Sequence, residues 1–570
     1  MNFESIVDLL IQETTRTSLG RFAPELVICV TIIALLFVRL LNADRRLPTY
    51  WVSLIGSLIA FVFAFGQFTF LQSDGAQPSG LFGWIFQGLY YLMNLDEGSI
   101  HTPASFFTGL LVFDQFTVFF RVFLLLFLIL VIALTVLSGI PDTEDGPDFY
   151  TLLFGAVIGM MLMVSANHLL ILFLGVEMAS VPSYVMVGFL KGRRQSSEAS
   201  LKFVVYGAGT AGVMLYGISL LAGLLGTANF PELAARLSDL LAGQSEVGMS
   251  NPNVRAVVLA IMMVLVGLAF KLSVVPFHFW CPDAFEGASA EVAGFLSVAS
   301  KAAAFALLVR FCMAFVGGET EGLQSVYLSL GIGLGVIAAV TCTFGNLAAY
   351  AQTNIKRLLA YSTIAHAGYM LMAVAALLVI LNAPFSGGFD ADWRNTEARR
   401  CVEGLLYYLC VYLFMNLGAF AIVALIRNEI FSEEIKDYDG LAQQAPLLCV
   451  CMGICLFSLV GMPPLGGFIG KFMIFASLFE AGNVHTSMWA ILVIGSLNTV
   501  FSLFYYVRVL RAMFMTDRPE RAPIVDLPFK PIGLYVTMIT LPILVLGMGG
   551  RLFMDGLSQT ANSVASVLFR

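Results

Sequence analysis

Stretches of about twenty apolar residues recur along almost the whole chain, and that recurrence constrains the fold more than any other feature. A helix crosses the hydrocarbon core of a bilayer in about 20 such residues. In lipid every backbone donor and acceptor must be satisfied inside the segment, so each run reads as a transmembrane helix. Fourteen runs fit: Glu25–Leu41, Tyr50–Leu71, Leu111–Gly139, Phe149–Ala166, His168–Leu190, Leu201–Gly226, Val254–Phe277, Val292–Val316, Leu323–Tyr350, Leu358–Leu381, Val402–Ile426, Pro446–Phe479, Met488–Met515 and Ile532–Phe553. Between Ser73 and His101 a further segment carries Trp84, Phe86, Tyr90 and Tyr91. It is too broken to span and is expected to lie at the interface.

Composition agrees with an integral, multi-pass membrane protein. Hydrophobic residues make up 59% of the chain and charged residues 12%, against about 25% charged in a globular chain. The net charge of −7 argues against a nucleic-acid partner. Met1 to Gly20 lacks the basic start and apolar core of a signal peptide, and the first apolar run, from Leu26, would serve as an uncleaved anchor. The nine cysteines show no CxxC spacing. Cys449, Cys451 and Cys455 lie in an apolar run and read as packing residues, so no zinc or iron–sulfur site is expected.

The loops alternate in charge. One side carries Arg45-Arg46, Lys191/Arg193/Arg194, Lys356-Arg357, Arg427/Lys436 and Arg508/Arg511/Arg518/Arg521. The other carries Asp74, Asp96-Glu97 and Glu319/Glu321, with a mixed loop at Asp390–Arg400. The positive-inside rule makes the first set cytoplasmic and puts both termini on the opposite side. The acidic loop Pro141–Asp148 falls inside, a mild exception.

Four parts follow: residues 1–148 with three helices and the interfacial insertion, 149–316 and 323–515 with five helices each, and 516–570 with a last helix and tail. Five is odd, so a tandem copy inserts upside down. In both blocks the fourth helix is interrupted: at Lys271-Leu-Ser-Val-Val-Pro276-Phe-His278, and at Gly461-Met-Pro463-Pro464-Leu-Gly466-Gly467-Phe-Ile-Gly470-Lys471. Proline removes a backbone donor that lipid cannot replace. Inverted repeats with broken helices are the pattern of transporters, whose ion sites lie near the midplane. Glu177 and Tyr184 also share the spacing of Ser362 and Tyr369 in the second block.

Charges at bilayer depth are costly and mark partners or pathways. Glu177 lies mid-span, Lys202 opens the sixth span, Lys271 ends the seventh-span run, Lys301 is central in the eighth, His366 is in the tenth and Lys471 in the twelfth. Lys202 is near enough to an end to snorkel, whereas Lys301 is not. His366 reads either as a satisfied neutral histidine or as a relay. His278, Asp283 and Glu286 read either as a relay entrance or as polar groups at a helix end. Burial weakens a lysine's hold on its proton and strengthens a glutamate's, and their mutual approach reverses both effects. A carboxylate that moves relative to Lys271 is therefore a proton switch. Arginine cannot serve, because it does not release its proton. Moving one charge against the membrane potential takes about 2.3 kcal/mol per 100 mV, which a pKa swing of about two units matches.

The string Phe270-Lys-Leu-Ser-Val-Val-Pro-Phe-His278-Phe-Trp-Cys-Pro-Asp283-Ala-Phe-Glu286-Gly resembles the signature of the antiporter-like subunits of proton-pumping NADH:quinone oxidoreductase, complex I. Three more strings resemble the N-type rather than the L- or M-type subunit: Gly345 through Tyr369, Met415-Asn-Leu-Gly-Ala-Phe420, and Gly461 through Phe472. The likeness runs from about Pro24 to Met515. It implies an all-α fold of about fourteen helices with two inverted five-helix repeats. It also implies a proton path through Glu177, Lys202, Lys271, Lys301 and Lys471. His278 and His366 are the candidate relays. M-type and K-type neighbours are implied in a bacterial inner membrane. NADH, FMN, iron–sulfur clusters and quinone would sit in partner subunits, with no cofactor on this chain. After Glu286-Gly287 the chain departs from the family's Ala-Pro-Thr-Pro and reads Ala288-Ser-Ala-Glu291. Ser73–His101 and Phe385–Arg400 look like insertions, and the long lateral helix of the L-type subunit is missing. An Mrp-type cation/proton antiporter subunit is the alternative. A purely structural subunit would leave four costly membrane lysines without a reason.

Overall fold

Lipid leaves the backbone of each apolar run no partner but itself, so the runs close into helices and polar residues mark their ends. The computed structural model describes residues 11, 13–42, 47–72, 83–93, 103–142, 145–241, 251–316, 321–383, 389–519, 529–548 and 550–569. Arg45, Arg46, Asp74, Asp96, Glu97, Glu319, Phe385 and Arg521 lie outside these residues, as do the side chains of Trp84, Phe86 and Glu321.

The first part comprises α1 (Ala23–Leu40), α2 (Thr49–Gln72), the short α3 (Gly83–Leu92) and α4 (Gln115–Ser138). A hairpin of β1 (Ala104–Phe106) and β2 (Leu111–Phe113) precedes α4, with Phe106 paired to Leu111. The first block holds α5 (Gly146–Ser165), α6 (Leu169–Val187), α7 (Arg194–Leu225), α8 (Phe230–Leu241), α9 (Pro252–Leu272), α10 (Trp280–Gly287) and α11 (Ala290–Met313). The second holds α12 (Glu321–Ala349), α13 (Ile355–Leu381), α14 (Ala391–Ile430), α15 (Pro446–Val460), α16 (Gly466–Val484) and α17 (Ser487–Met515). Then come α18 (Phe529–Met548) and α19 (Gly550–Ser566).

Thirteen described helices are long and apolar enough to cross a membrane. The broken pair α15 and α16 makes the fourteenth crossing, as the run Pro446–Phe479 predicts. One boundary differs from expectation. Asp390–Arg400 is not a loop: Asp390 accepts a bond from the Trp393 amide at 2.7 Å and so caps α14, whose first turns take in the segment. Of the last expected span, α18 is described to Met548 and α19 from Gly550, with residue 549 outside the described residues. α19 turns polar groups inward, with Asn562 donating to Glu403 at 2.9 Å and Ser563 to Gln115 at 3.1 Å.

The core runs through α11, α13 and α14, whose side chains are buried over most of their length. A small residue lets α12 close on α13. A methyl group on Gly368 would meet the Cys342 amide nitrogen at 2.7 Å. α7 and α17 face outward, with Val205, Tyr216, Val500 and Phe504 exposed. Two buried ion pairs fasten the first part. Arg121 donates to Glu25 at 2.7 Å and to Gln67 at 3.1 Å. Arg310, at the end of α11, donates to Asp114 at 2.7 Å and lies over the Phe116 ring. Asp114 also caps α4 through the Thr117 amide. On α3, Tyr90 is buried against Phe70 while Tyr91 is 88% exposed, as suits an amphipathic surface helix.

Candidate functional site

The two helix breaks are built differently, and the difference sets what each lysine can do. α9 ends at Ser273 in a left-handed conformation, φ 58°. The free carbonyls there find other donors: Phe270 accepts from the Trp280 indole at 2.9 Å, and Ala269 from the Val274 amide at 2.9 Å. Lys271 is thus not needed as a cap. It is 2% exposed and its ammonium has no hydrogen-bond partner. The charge that acts on it is Glu177, half-buried on α6 and outside ion-pair distance. Glu177 shares a narrow crevice with Ser180, Tyr184, Thr210, Gly267 and Phe270. The Tyr184 hydroxyl is also buried without a partner.

At the second break the lysine is the cap. α15 ends at Gly461, φ 88°, and Lys471 on α16 donates to the carbonyls of Leu459 and Val460, both at 2.9 Å. A cation suits the negative end of a helix dipole. A Cβ on Gly461 would lie 3.0 Å from the Lys471 side chain, so the glycine serves both the turn and the approach. The ammonium also sits 4.4 Å from the centre of the Tyr369 ring.

Lys301 lies between the breaks. It follows a π-helical turn, Leu296–Ser300, and is 1% exposed. Its ammonium donates to the Thr363 carbonyl of α13 at 2.8 Å. Three residues on, His366 contacts Tyr408 through Nδ1 at 2.5 Å and Tyr506 through Nε2 at 3.3 Å. Both Lys301 and Lys471 act electrostatically on His366. Tyr506 is bonded to Ser362. A second knot joins Asn346 to Tyr369, Asn498 and Tyr505. Lys301, His366 and Lys471 therefore share one buried polar band rich in tyrosine.

The remaining sequence candidates fall elsewhere. Lys202 is 42% exposed and donates to Glu198 at 2.9 Å and Asp283 at 2.8 Å. Arg357 donates to Asp283 at 2.7 Å and Glu286 at 2.5 Å. Lys202, Asp283 and Glu286 thus form an ion-pair rim with Arg357 at the basic-loop ends of α7 and α13. In the loop after α6, Lys191 donates at 2.8 Å to Asp145, just ahead of α5, and this bond raises the pKa of the lysine above its ordinary value. His278 is buried between the Phe279 and Phe344 rings, and its Nδ1 has no partner. It touches none of the lysines by hydrogen bond.

Of the tyrosines in this band the sequence reading singled out only Tyr369, by its matched position with Tyr184 on α6; Tyr408, Tyr412, Tyr505 and Tyr506 were missed. The signal for two of them was the spacing Tyr408, Tyr412, Asn416 on one face of α14.

A family of membrane subunits described as NADH:quinone oxidoreductase/Mrp antiporter, TM, matches residues 166–382 and 396–502. A chain named NADH-quinone oxidoreductase subunit N from Anaeromyxobacter sp. is 43% identical over 423 residues, 73% of this chain and 77% of that one. A subunit N 2 from Sorangium cellulosum is 36% identical over 541 residues, 93% of this chain and 95% of its own. The chain belongs to the subunit N family. A chain of respiratory complex I from Thermus thermophilus superposes with a TM-score of 0.66 at 27% identity, covering 94% of this chain and 99% of that one. A chain of the Mrp complex from Dietzia sp. shares the fold, with a TM-score of 0.67 at 19% identity over 97% of this chain and 100% of that one. This chain is an integral multi-pass membrane protein, with two inverted five-helix repeats that each contain a broken helix.

Proposed function

We propose that this subunit N chain translocates protons inside a NADH:quinone oxidoreductase, as a subunit that carries no redox chemistry of its own. NADH, FMN, iron–sulfur clusters and quinone belong to partner subunits, and M-type and K-type chains are its membrane neighbours. The basic loops face the cytoplasm of a bacterial cell, and the chain sits in its inner membrane.

The observation that carries this reading is a set of buried groups at the two broken helices and in the core: Lys271 at the first break, Lys471 at the second, and Lys301 and His366, with His366 acted on by both Lys301 and Lys471. Every member can bind and release a proton, and among the described residues none forms an ion pair with a carboxylate. Glu177 on α6 modulates Lys271 on α9. A change at Glu177 changes the cost of charge on Lys271, and the tyrosine band can hand that change onward. An ion-pair rim at Lys202 and Asp283 marks the basic-side mouth of the first block. The high identity to subunit N chains favours this reading over an Mrp-type antiporter, with which the fold alone is shared.

The test is the purified complex in sealed vesicles. Lys271→Ala should keep NADH oxidation by a soluble acceptor and lose most proton uptake linked to quinone reduction. A lone polypeptide that purifies without partners and exchanges cations for protons would point to the antiporter instead.

A further inference from the structure

We propose that Glu291 is a proton-loading carboxylate, feeding a branch along α11 and α14 that leads from the basic-loop side to Lys301. The inference rests on the proton-path reading of Lys301 and adds a residue which that reading leaves unused. Glu291 stands where the chain departs from the family string, two residues after Ser289, whose hydroxyl caps α11. Its side chain is 1% exposed, and its Oε2 has no hydrogen-bond partner.

A buried carboxylate oxygen without a donor is costly, and a nearby cation offsets that cost. The cation within electrostatic reach is Lys356. That ammonium is already committed, donating to the Ala288 carbonyl at 2.6 Å and ion-paired with Glu433 at 2.9 Å. Arg427 also holds Glu433, at 3.1 Å. Glu291 is therefore the spare acid at a lysine that has its counter-charge. A spare acid beside a fixed cation can be charged or neutral without breaking the pair next to it.

Polar groups continue from there into the core. Ser297 lies six residues further along α11, about 9 Å at the helical rise. Its hydroxyl donates to Gly294 at 2.7 Å and accepts from Asn416 at 2.6 Å. Asn416 also donates to the Tyr412 hydroxyl at 3.1 Å, and its own Oδ1 is buried with no donor. Tyr412 lies against the His366 ring at 5.4 Å. The π turn Leu296–Ser300 places Ser297 just before Lys301 in this same helix, and such turns cluster at functional sites. Two unpartnered acceptors, on Glu291 and Asn416, thus flank the branch. A proton entering from the rim converts the Glu291 carboxylate to the acid. Its release regenerates the carboxylate and passes the same proton along the hydroxyls of Ser297 and Tyr412 toward Lys301, with the Asn416 amide holding both hydroxyls in place.

The experiment uses the whole complex in vesicles. Glu291→Gln keeps size and hydrogen bonding but cannot carry the proton. Its turnover-linked proton uptake should fall roughly tenfold or more, while Glu291→Asp stays within about twofold of the parent. If Glu291 were only a counter-charge for Lys356, removing both charges in Glu291→Gln/Lys356→Gln would restore uptake. The branch requires that the double variant stay low. Normal uptake in Glu291→Gln, or recovery in the double variant, overturns the proposal. Lys301→Ala separates the levels: uptake lost there but kept in Glu291→Gln removes only the branch, and uptake kept in both removes the path itself. Should Glu291→Gln not assemble, a lipid-soluble carbodiimide on the parent complex serves. An adduct on Glu291 that rises as pumping falls supports the branch. No adduct there, or an adduct with full pumping, overturns it.

Discussion

The ammonium of Lys301 donates to the backbone carbonyl of Thr363 at 2.8 Å, and this one bond joins the last helix of the first repeat to the second helix of the other. The two repeats are thereby coupled at a proton-active group and not merely by packing. Thr363 lies one turn before His366, so a shift of the lysine is felt in the His366, Tyr408 and Tyr506 cluster.

Lys301→Arg tests whether the group must give up its proton. Arginine keeps the charge and the donor to Thr363, and it stays protonated throughout. The variant should assemble, yet slow proton uptake per quinone reduced by roughly tenfold or more. An unchanged ratio in vesicles would reduce Lys301 to a fixed charge between the repeats.

Glu177 and Lys271 should prove coupled although they make no ion pair. Lys271 has no hydrogen-bond partner and Glu177 is the charge that acts on it. Glu177→Gln and Lys271→Ala should each cut pumping, and the double variant should lose less than the two losses combined. A coupling of about 0.5–3 kcal/mol in the cycle is the range for interacting neighbours. Strict additivity of the logarithms of the rates would place the two residues in separate steps.

Much of this was legible because lipid simplifies the rules. A run of apolar residues has one stable form in a bilayer, so the fourteen crossings could be counted, and proline with lysine inside a run marked both breaks. Asp390–Arg400 misled because its charges read as a loop, whereas Asp390 and Trp393 make a helix cap from local atoms. Lys202 looked like the other lysines in sequence. Only the fold brings Asp283, some eighty residues away, to hold it at the rim. The tyrosine band was hidden for a related reason. Tyr408 and Tyr506 belong to apolar runs and become polar partners only when His366 is placed between them.

The Glu25–Arg121 pair predicts a stability effect remote from the path. Both side chains are fully buried, and Arg121 also donates to Gln67 and the Arg21 carbonyl. Removing one partner leaves a buried charge, at a cost of about 3–5 kcal/mol. Glu25→Leu should lower the thermal midpoint of the detergent-solubilised complex clearly, and adding Arg121→Met should recover part of it. A midpoint unmoved by Glu25→Leu would mean that Gln67 and the carbonyl suffice.

Topology can be read by labelling. With fourteen crossings, single cysteines in the Lys191–Arg194 loop and in the tail beyond α19 should react from opposite faces of the membrane, in a background lacking the nine native cysteines. The basic loop should be the one reached only after the cytoplasmic face is opened. Reaction of both sites from one side would remove a crossing from the count.

Lys471 has two possible jobs, and two substitutions separate them. As a cap, it satisfies the carbonyls of Leu459 and Val460 at the end of α15. As a carrier, it stands between Tyr369 and the His366 cluster. Lys471→Met removes cap and carrier together. The two carbonyls then stand in a buried break without a donor, at about 1–3 kcal/mol each, so assembly and pumping should both suffer. Lys471→Arg keeps a cationic donor for the carbonyls but cannot release its proton. It should hold the thermal midpoint of the complex near that of the parent while proton uptake falls. Parent-like uptake in Lys471→Arg, alongside instability in Lys471→Met, would leave this lysine a cap alone and end the path at His366.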